Sequence, residues 1–265
     1  MSRNGAKVLL SELDEGIACI TLNRPEKRNA LDPEARQALL DALDNSKGKA
    51  KVVILTGAGD TFCSGMDLSQ VTDGGMAEED QLNSSWIEVQ DQIRRHPAIL
   101  IASVRGYALG GGSTLINACD LAVVARDAQI GMPEVGFGFY PGLAGPAAQL
   151  RLPSKRAAWM ILTAKRIDGQ TAVDWGMANL AVDDERVDTE TLKLARHIAQ
   201  FDAVVLEWSK KALWHIPTHL TDWRSALEFG AYINAQIHAR TDTHRQALRN
   251  FAGGKPNPGQ GRISE

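Results

Sequence analysis

Gly110-Gly111-Gly112 is the feature that most limits what this chain can become. The triplet lies between an apolar run, Ala98 to Val104, and a segment from Leu115 to Cys119 that reads as helix. A strand-to-helix turn stripped of side chains lets backbone N–H groups approach a ligand oxygen, with the positive end of the helix dipole behind them. Such a turn suits an anion, or an oxygen that becomes one during a reaction. Taken alone, it also suits a helix that only packs tightly on its strand.

Short apolar runs recur on both sides of this turn. Val8 to Leu13 and Gly16 to Leu22 read as strands, and a polar loop, Asn23 to Asn29, follows. Asp32 before Pro33 predicts a helix start, a capping oxygen ahead of a proline with its φ already set, and the helix runs to about Asn45. Lys51 to Gly57 reads as a buried strand. Gly74-Gly75 falls in a loop, and Ser84 to Arg95 reads as a helix with Trp86, Val89, Gln90 and Ile93 along one side. Asp120 to Ala125 is a further strand. Strands alternating with helices predict an α/β core. After Ser154 the pattern turns helical, with segments at Ser154 to Thr163, Gly169 to Trp175, Asp188 to Gln200, Val204 to Trp214, Asp222 to Arg240 and Thr243 to Phe251. A division at about residue 200 separates a core (1–200) from a helical C-terminal region (201–265) rich in aromatics.

With 265 residues and 44% hydrophobic content, the chain can bury a sizeable core. A net charge of −3 without long charged runs favours neither nucleic acid nor a membrane surface as partner. The apolar stretches are far shorter than the roughly 20 residues a membrane span requires. Met1 to Leu10 lacks the features of a signal peptide. Cys19, Cys63 and Cys119 read as buried thiols, and the expected compartment is the cytoplasm.

Two more segments carry chemistry. Phe62-Cys63-Ser64-Gly65-Met66-Asp67-Leu68 follows the Lys51–Gly57 strand much as the glycine triplet follows its own strand. Two such turns on neighbouring strands can aim two N–H groups at one point, each worth about 3–4 kcal/mol to a developing oxyanion. Glu134 follows Gly131-Met132-Pro133. Near Met132, Val135, Phe137 and Phe139, burial would raise its pKa toward the range a general acid or base needs. Phe139-Tyr140-Pro141-Gly142 comes next and can wall a pocket. No nucleotide-binding glycine motif, zinc spacing or nucleophile elbow is present. The six histidines lie outside these segments, so no metal ligand is assigned.

In order, these segments resemble the crotonase superfamily, the enoyl-CoA hydratases and isomerases. The matching residues are Ile20-Thr21-Leu22-Asn23-Arg24-Pro25 with Lys27 to Leu31, Phe62 to Leu68, Val104 to Gly112 with Cys119-Asp120-Leu121, and Pro133-Glu134 with Pro141-Gly142. The resemblance implies an α/β spiral of ββα units with a C-terminal helical trimerisation region, and a homotrimer or dimer of trimers. It implies an acyl-CoA substrate, coenzyme A entering as part of it and no separate cofactor. By position, the implied oxyanion donors are the N–H groups of Met66 and Gly111. Coenzyme A would pass Lys27, Arg28, Ala30, Asp67 and Leu68, with Phe251 and Lys255 reaching a neighbour's ligand. Glu134 would be the acid/base, and Phe137, Tyr140, Gly142 and Tyr232 would line the acyl pocket.

One departure limits the chemistry. Hydratases of this family pair two glutamates, and Thr114 stands where the first belongs. A lone Glu134, with Thr114 orienting water or nothing, fits a one-base reaction such as moving a double bond. A single glutamate opposite a hydroxyl residue also resembles the hydroxycinnamoyl-CoA hydratase-lyases. A non-catalytic CoA-binding scaffold is the third reading.

Overall fold

The computed structural model describes residues 5–67 and 76–255, and over 76–83 the backbone alone. Leu68 and the expected Gly74-Gly75 loop lie outside the described residues.

Six strands make one twisted sheet in the order β1-β2-β3-β4-β6-β8. They are β1 (Val8–Asp14), β2 (Ile17–Leu22), β3 (Val52–Gly57), β4 (Ile99–Val104), β6 (Leu121–Ala125) and β8 (Leu180–Val182). The β1–β2 pair is antiparallel and every other pair is parallel. A second, two-stranded parallel sheet joins β5 (Tyr107–Leu109) to β7 (Gln129–Gly131).

Both faces of the large sheet are buried, and that is why its strands are almost unbroken apolar runs rather than alternating ones. Alternate residues still divide between two cores. Ile20, Leu22, Val53, Leu55, Leu100, Ala102, Ala122 and Val124 pack on one side. That side is covered by α1 (Pro33–Ser46), α2 (Met76–Arg95), α3 (Gly111–Ala118) and later helices. Ile17, Cys19, Val52, Ile54, Ile99, Ile101 and Val123 pack on the other, against Ala195 and Ile198 of α7 (Val187–Ala199). Asp32 caps α1 as its position predicts, accepting from the Ala35 N–H at 2.8 Å. The three cysteines are free and buried, and burial pushes the Cys63 thiol up to about 12.

The structure departs from the sequence reading in three places. Helix α3 starts at Gly111, not near Leu115, so two glycines form its first turn. Glycine is a poor helix former, but here the Gly110 carbonyl is capped by the Thr114 N–H at 3.1 Å and tertiary packing fixes the start. Strand β5 intervenes between β4 and the glycine turn. Strand β8 returns to the sheet edge from within the helical half, and three residues are too few to display a periodicity.

The remaining helices are α4 (Gly145–Arg151), α5 (Ser154–Thr163), α6 (Gly169–Asp174), α8 (Ala203–His219), α9 (Trp223–His238) and α10 (Thr243–Ala252). Among the described residues none is long and apolar enough to cross a membrane. A buried cation pins α8 to the sheet. Lys210 donates to the carbonyls of Ile93 and Ala98, at 3.0 Å each, and lies 2.7 Å from the Asp120 carboxylate. Asp120 in turn accepts from the Leu100 N–H at the start of β4. Removing one partner leaves a buried charge unmatched, so Lys210→Met should cost about 3 kcal/mol in urea unfolding. Adding Asp120→Asn to that variant should recover part of the loss.

Candidate active site

Two peptide groups, one from each glycine turn, are fixed by their carbonyls. On the first turn, Leu31 donates its N–H to the Gly65 carbonyl at 2.8 Å, and Asp67 donates its own to the Leu31 carbonyl at 3.2 Å. The carbonyl of residue i and the N–H of residue i+1 lie in one trans peptide plane and point in opposite directions within it. Tying the Gly65 carbonyl to Leu31 therefore turns the Met66 N–H away from Leu31. On the second turn, the Gly110 carbonyl accepts from the Thr114 N–H and from the Ser113 hydroxyl at 2.8 Å. The Thr114 hydroxyl stands 3.2 Å from that same oxygen. By the same geometry the Gly111 N–H faces out of the helix. Among the described residues, neither the Met66 nor the Gly111 N–H is drawn into a hydrogen bond.

The two turns are held side by side through β5. Cys63 donates to the Tyr107 carbonyl and accepts from the Leu109 N–H, at 3.0 Å each. Gly65 lies so close that a Cβ there would stand 2.7 Å from the Leu109 carbonyl oxygen and 3.2 Å from the Gly111 nitrogen. Its φ of +94° also excludes side chains at low cost.

Glu134 opens a short 3-10 turn, Glu134–Phe137, just after β7. The Gly110 N–H donates to the Gly131 carbonyl at 2.9 Å, which brings this turn beside the glycine triplet. A Cβ on Gly110 would come within 2.8 Å of Glu134 Oε1, so only glycine leaves that carboxylate its place. The other oxygen, Oε2, is buried without a partner among the described residues. Burial raises the pKa of this carboxyl group above the ordinary glutamate range, opposed in part by a backbone hydrogen bond. A carboxyl group with a raised pKa thus stands beside the glycine triplet that carries the Gly111 N–H.

Thr114 is fully buried, and among the described residues its hydroxyl has the carbonyls of Gly110 and Leu143 within reach, at 3.2 and 3.3 Å. Its one proton is committed to backbone. The Thr114 hydroxyl thus lies against the Gly110 peptide.

The residues expected along coenzyme A divide. Lys27 and Arg28 are exposed on the turn before the buried Ala30. Arg28 and Asn29 both take left-handed φ angles, of 51° and 55°. Asn29 sustains this by donating to the Ala58 and Thr61 carbonyls at 3.0 and 2.6 Å and accepting from the Arg24 N–H at 2.9 Å. The Asp67 carboxylate lies 3.0 Å from Arg24, which also donates to the Ala30 carbonyl. The expected pocket wall is an exposed surface in the single chain. Phe137 is 64% and Tyr140 57% exposed, Gly142 is exposed, and Tyr232 on α9 is 49% exposed against Trp208. Of the apolar neighbours expected around Glu134, only Met132 is buried. Phe251 and Lys255 lie exposed on and after α10.

Sequence reasoning missed two features. Arg166 joins Arg28 against the Tyr107 ring, with guanidinium carbons 5.1 and 5.7 Å from its centre, giving a basic patch beside the Arg28 turn. Trp86, read as an ordinary core position on α2, packs against Gly111. The clue was available, since a buried indole N–H normally finds a partner.

A family model described as enoyl-CoA hydratase/isomerase matches residues 12–252. A hydroxycinnamoyl-CoA hydratase-lyase from Pseudomonas fluorescens is 33% identical over 212 residues, 77% of each chain. Among solved structures, an enoyl-CoA hydratase from Bacillus anthracis has a TM-score of 0.88 at 25% identity and covers 96% of this chain and 100% of its own. One from Mycobacterium smegmatis has a TM-score of 0.89 at 25% identity, covering 95% and 98%.

A carboxyl group with a raised pKa carries a charging penalty that grows as pH rises. Below the ordinary glutamate value Glu134 is neutral folded and unfolded, and the penalty vanishes; above its folded pKa the penalty is complete. Glu134→Gln should therefore melt higher than the parent at about pH 8, and the gap should close toward about pH 4. A gap independent of pH would mean that the carboxylate is solvated.

Proposed function

The chain belongs to the enoyl-CoA hydratase/isomerase family, and we propose that it adds water across the double bond of an unsaturated acyl-CoA thioester, with Glu134 as its only acid/base. The observation that carries this reading is the half-buried, partly unpaired carboxyl group of Glu134 lying on Gly110, one residue from the free Gly111 N–H. The Met66 and Gly111 N–H groups receive the thioester oxygen. Glu134 takes a proton from water as the oxygen bonds to the β-carbon, and the π electrons move into the thioester as an enolate. Each amide donor contributes about 3–4 kcal/mol to that oxyanion. The same carboxyl group then returns its proton to the α-carbon, so one carboxylate completes the cycle. Thr114 is a positioning residue for the Gly111 donor. Coenzyme A enters as part of the substrate, with Lys27, Arg28 and Arg166 offering charge to its phosphates.

The relative from Pseudomonas fluorescens favours a second step on the same groups. Removal of the β-hydroxyl proton by Glu134 lets the α–β carbon bond break, its electrons passing into the enolate held by the amides. An aldehyde leaves, and protonation at the α-carbon gives the shortened acyl-CoA. The exposed apolar residues of α9 and α10, among them Trp223, Leu227, Leu248 and Phe251, suit burial in a homotrimer or dimer of trimers. There Tyr232, Phe251 and Lys255 would meet a neighbour's ligand.

Glu134→Gln should lower turnover by about 10² or more. Mass spectrometry of products from crotonyl-CoA, a 3-enoyl-CoA and feruloyl-CoA separates the reactions. Gain of water marks hydration, release of an aldehyde marks cleavage, and unchanged mass with shifted absorbance marks isomerisation. Near-normal turnover by the variant removes Glu134 from its role, and binding without turnover by the parent supports the scaffold reading.

A further inference from the structure

Trp86 is fully buried on α2, and its indole Nε1–H has no hydrogen-bond partner among the described residues. Its Cζ2 and Cη2 atoms stand 3.3 and 3.7 Å from the point a Cβ on Gly111 would occupy. Nε1 and Cζ2 are bonded to the same ring atom, so the N–H is next to the ring atom nearest Gly111. Gly65 borders the same spot, its Cα 3.5 Å from that point. The indole therefore forms one border of the two glycine turns, packed where a side chain on Gly111 would stand.

A buried donor left unpaired costs about 1–3 kcal/mol. Aromatic packing alone does not account for a tryptophan at this position, because phenylalanine fills a similar apolar space without that cost. Glu134 Oε2 is the other unpaired buried atom bordering the turns, and it is an acceptor. One border thus offers proton exchange and the other a neutral donor.

We propose that Trp86 is a specificity residue whose N–H binds an oxygen carried by the acyl group of the substrate, so that the preferred substrates are oxygen-bearing acyl-CoA esters rather than plain hydrocarbon ones. The inference rests on the acyl-CoA reading above. A hydrocarbon acyl group leaves the N–H buried and unpaired, whereas an ester with a hydroxyl, ether or keto oxygen in reach pairs it. Discrimination follows from that difference.

Binding of saturated esters that carry no 3-hydroxyl, and so cannot be dehydrated or cleaved by the proposed reaction, tests this without depending on turnover. Two matched pairs differ by one oxygen each: butyryl-CoA with 4-hydroxybutyryl-CoA, and 3-phenylpropanoyl-CoA with 3-(4-hydroxyphenyl)propanoyl-CoA. Calorimetry on the full-length parent should show about tenfold tighter binding of the oxygenated member in at least one pair. In Trp86→Phe the affinity ratio of that pair should fall to about one, and the responding pair locates the oxygen near or far from the thioester. Equal affinities within both pairs for the parent would overturn the proposal whatever the variant does. So would a preference that survives in a folded Trp86→Phe protein. Binding with discrimination but no turnover of any enoyl-CoA would sink the proposed reaction and leave the Trp86 assignment standing; failure to bind any of the four esters would sink both.

Discussion

Everything in the candidate site depends on two peptide planes held from behind. An N–H free to bind a substrate oxygen is usually a liability, because buried backbone donors are nearly always paired. Here each free donor belongs to a peptide whose carbonyl is already bonded, Gly65 to Leu31 and Gly110 to the first turn of α3. The carbonyl bonds set the direction of the N–H groups without using them. Glycine is required for contact rather than flexibility alone: side chains at Gly65 and Gly110 would collide with the Leu109 carbonyl and with Glu134.

The rest of the fold makes that arrangement rigid. Parallel pairing of β3 with β4 brings the two following turns to the same end of the sheet, and the β5–β7 pair carries Glu134 to the second of them. The loop before α1 is locked by Asn29 and by Arg24, which spans Asp67, Asp32 and the Ala30 carbonyl. These polar residues hold Leu31 against Met66, and the Asp67 carboxylate is paired with Arg24 in doing so.

Much of this was legible in the sequence, for identifiable reasons. The two glycine turns, Glu134 and the cap at Asp32 are local patterns with local causes, and they fell where the spacing put them. Thr114 could be read as a departure, but not as a brace for the Gly110 peptide, because that role exists only once α3 begins at Gly111. Trp86 was hidden because a tryptophan on the apolar face of a helix satisfies core periodicity whether or not its N–H has a partner. Arg166 and Tyr107 are far apart in sequence and meet only through β5 and β7. The pocket wall around Phe137 and Tyr140 was expected from its place after Glu134 and from the resemblance, and neither says which apolar residues a single chain leaves exposed.

Vibrational spectroscopy of a bound ester reads the two donors directly. Butyryl-CoA labelled with carbon-13 at the thioester carbonyl isolates one stretching band, which moves to lower frequency as hydrogen bonds to its oxygen strengthen. Bound to the protein, that band should lie below its position in water, and it should stay there in Glu134→Gln, since the amides and not the carboxyl group polarise it. A bound band at or above the frequency of the free ester in water would contradict the assignment of Met66 and Gly111 as the groups that grip the carbonyl.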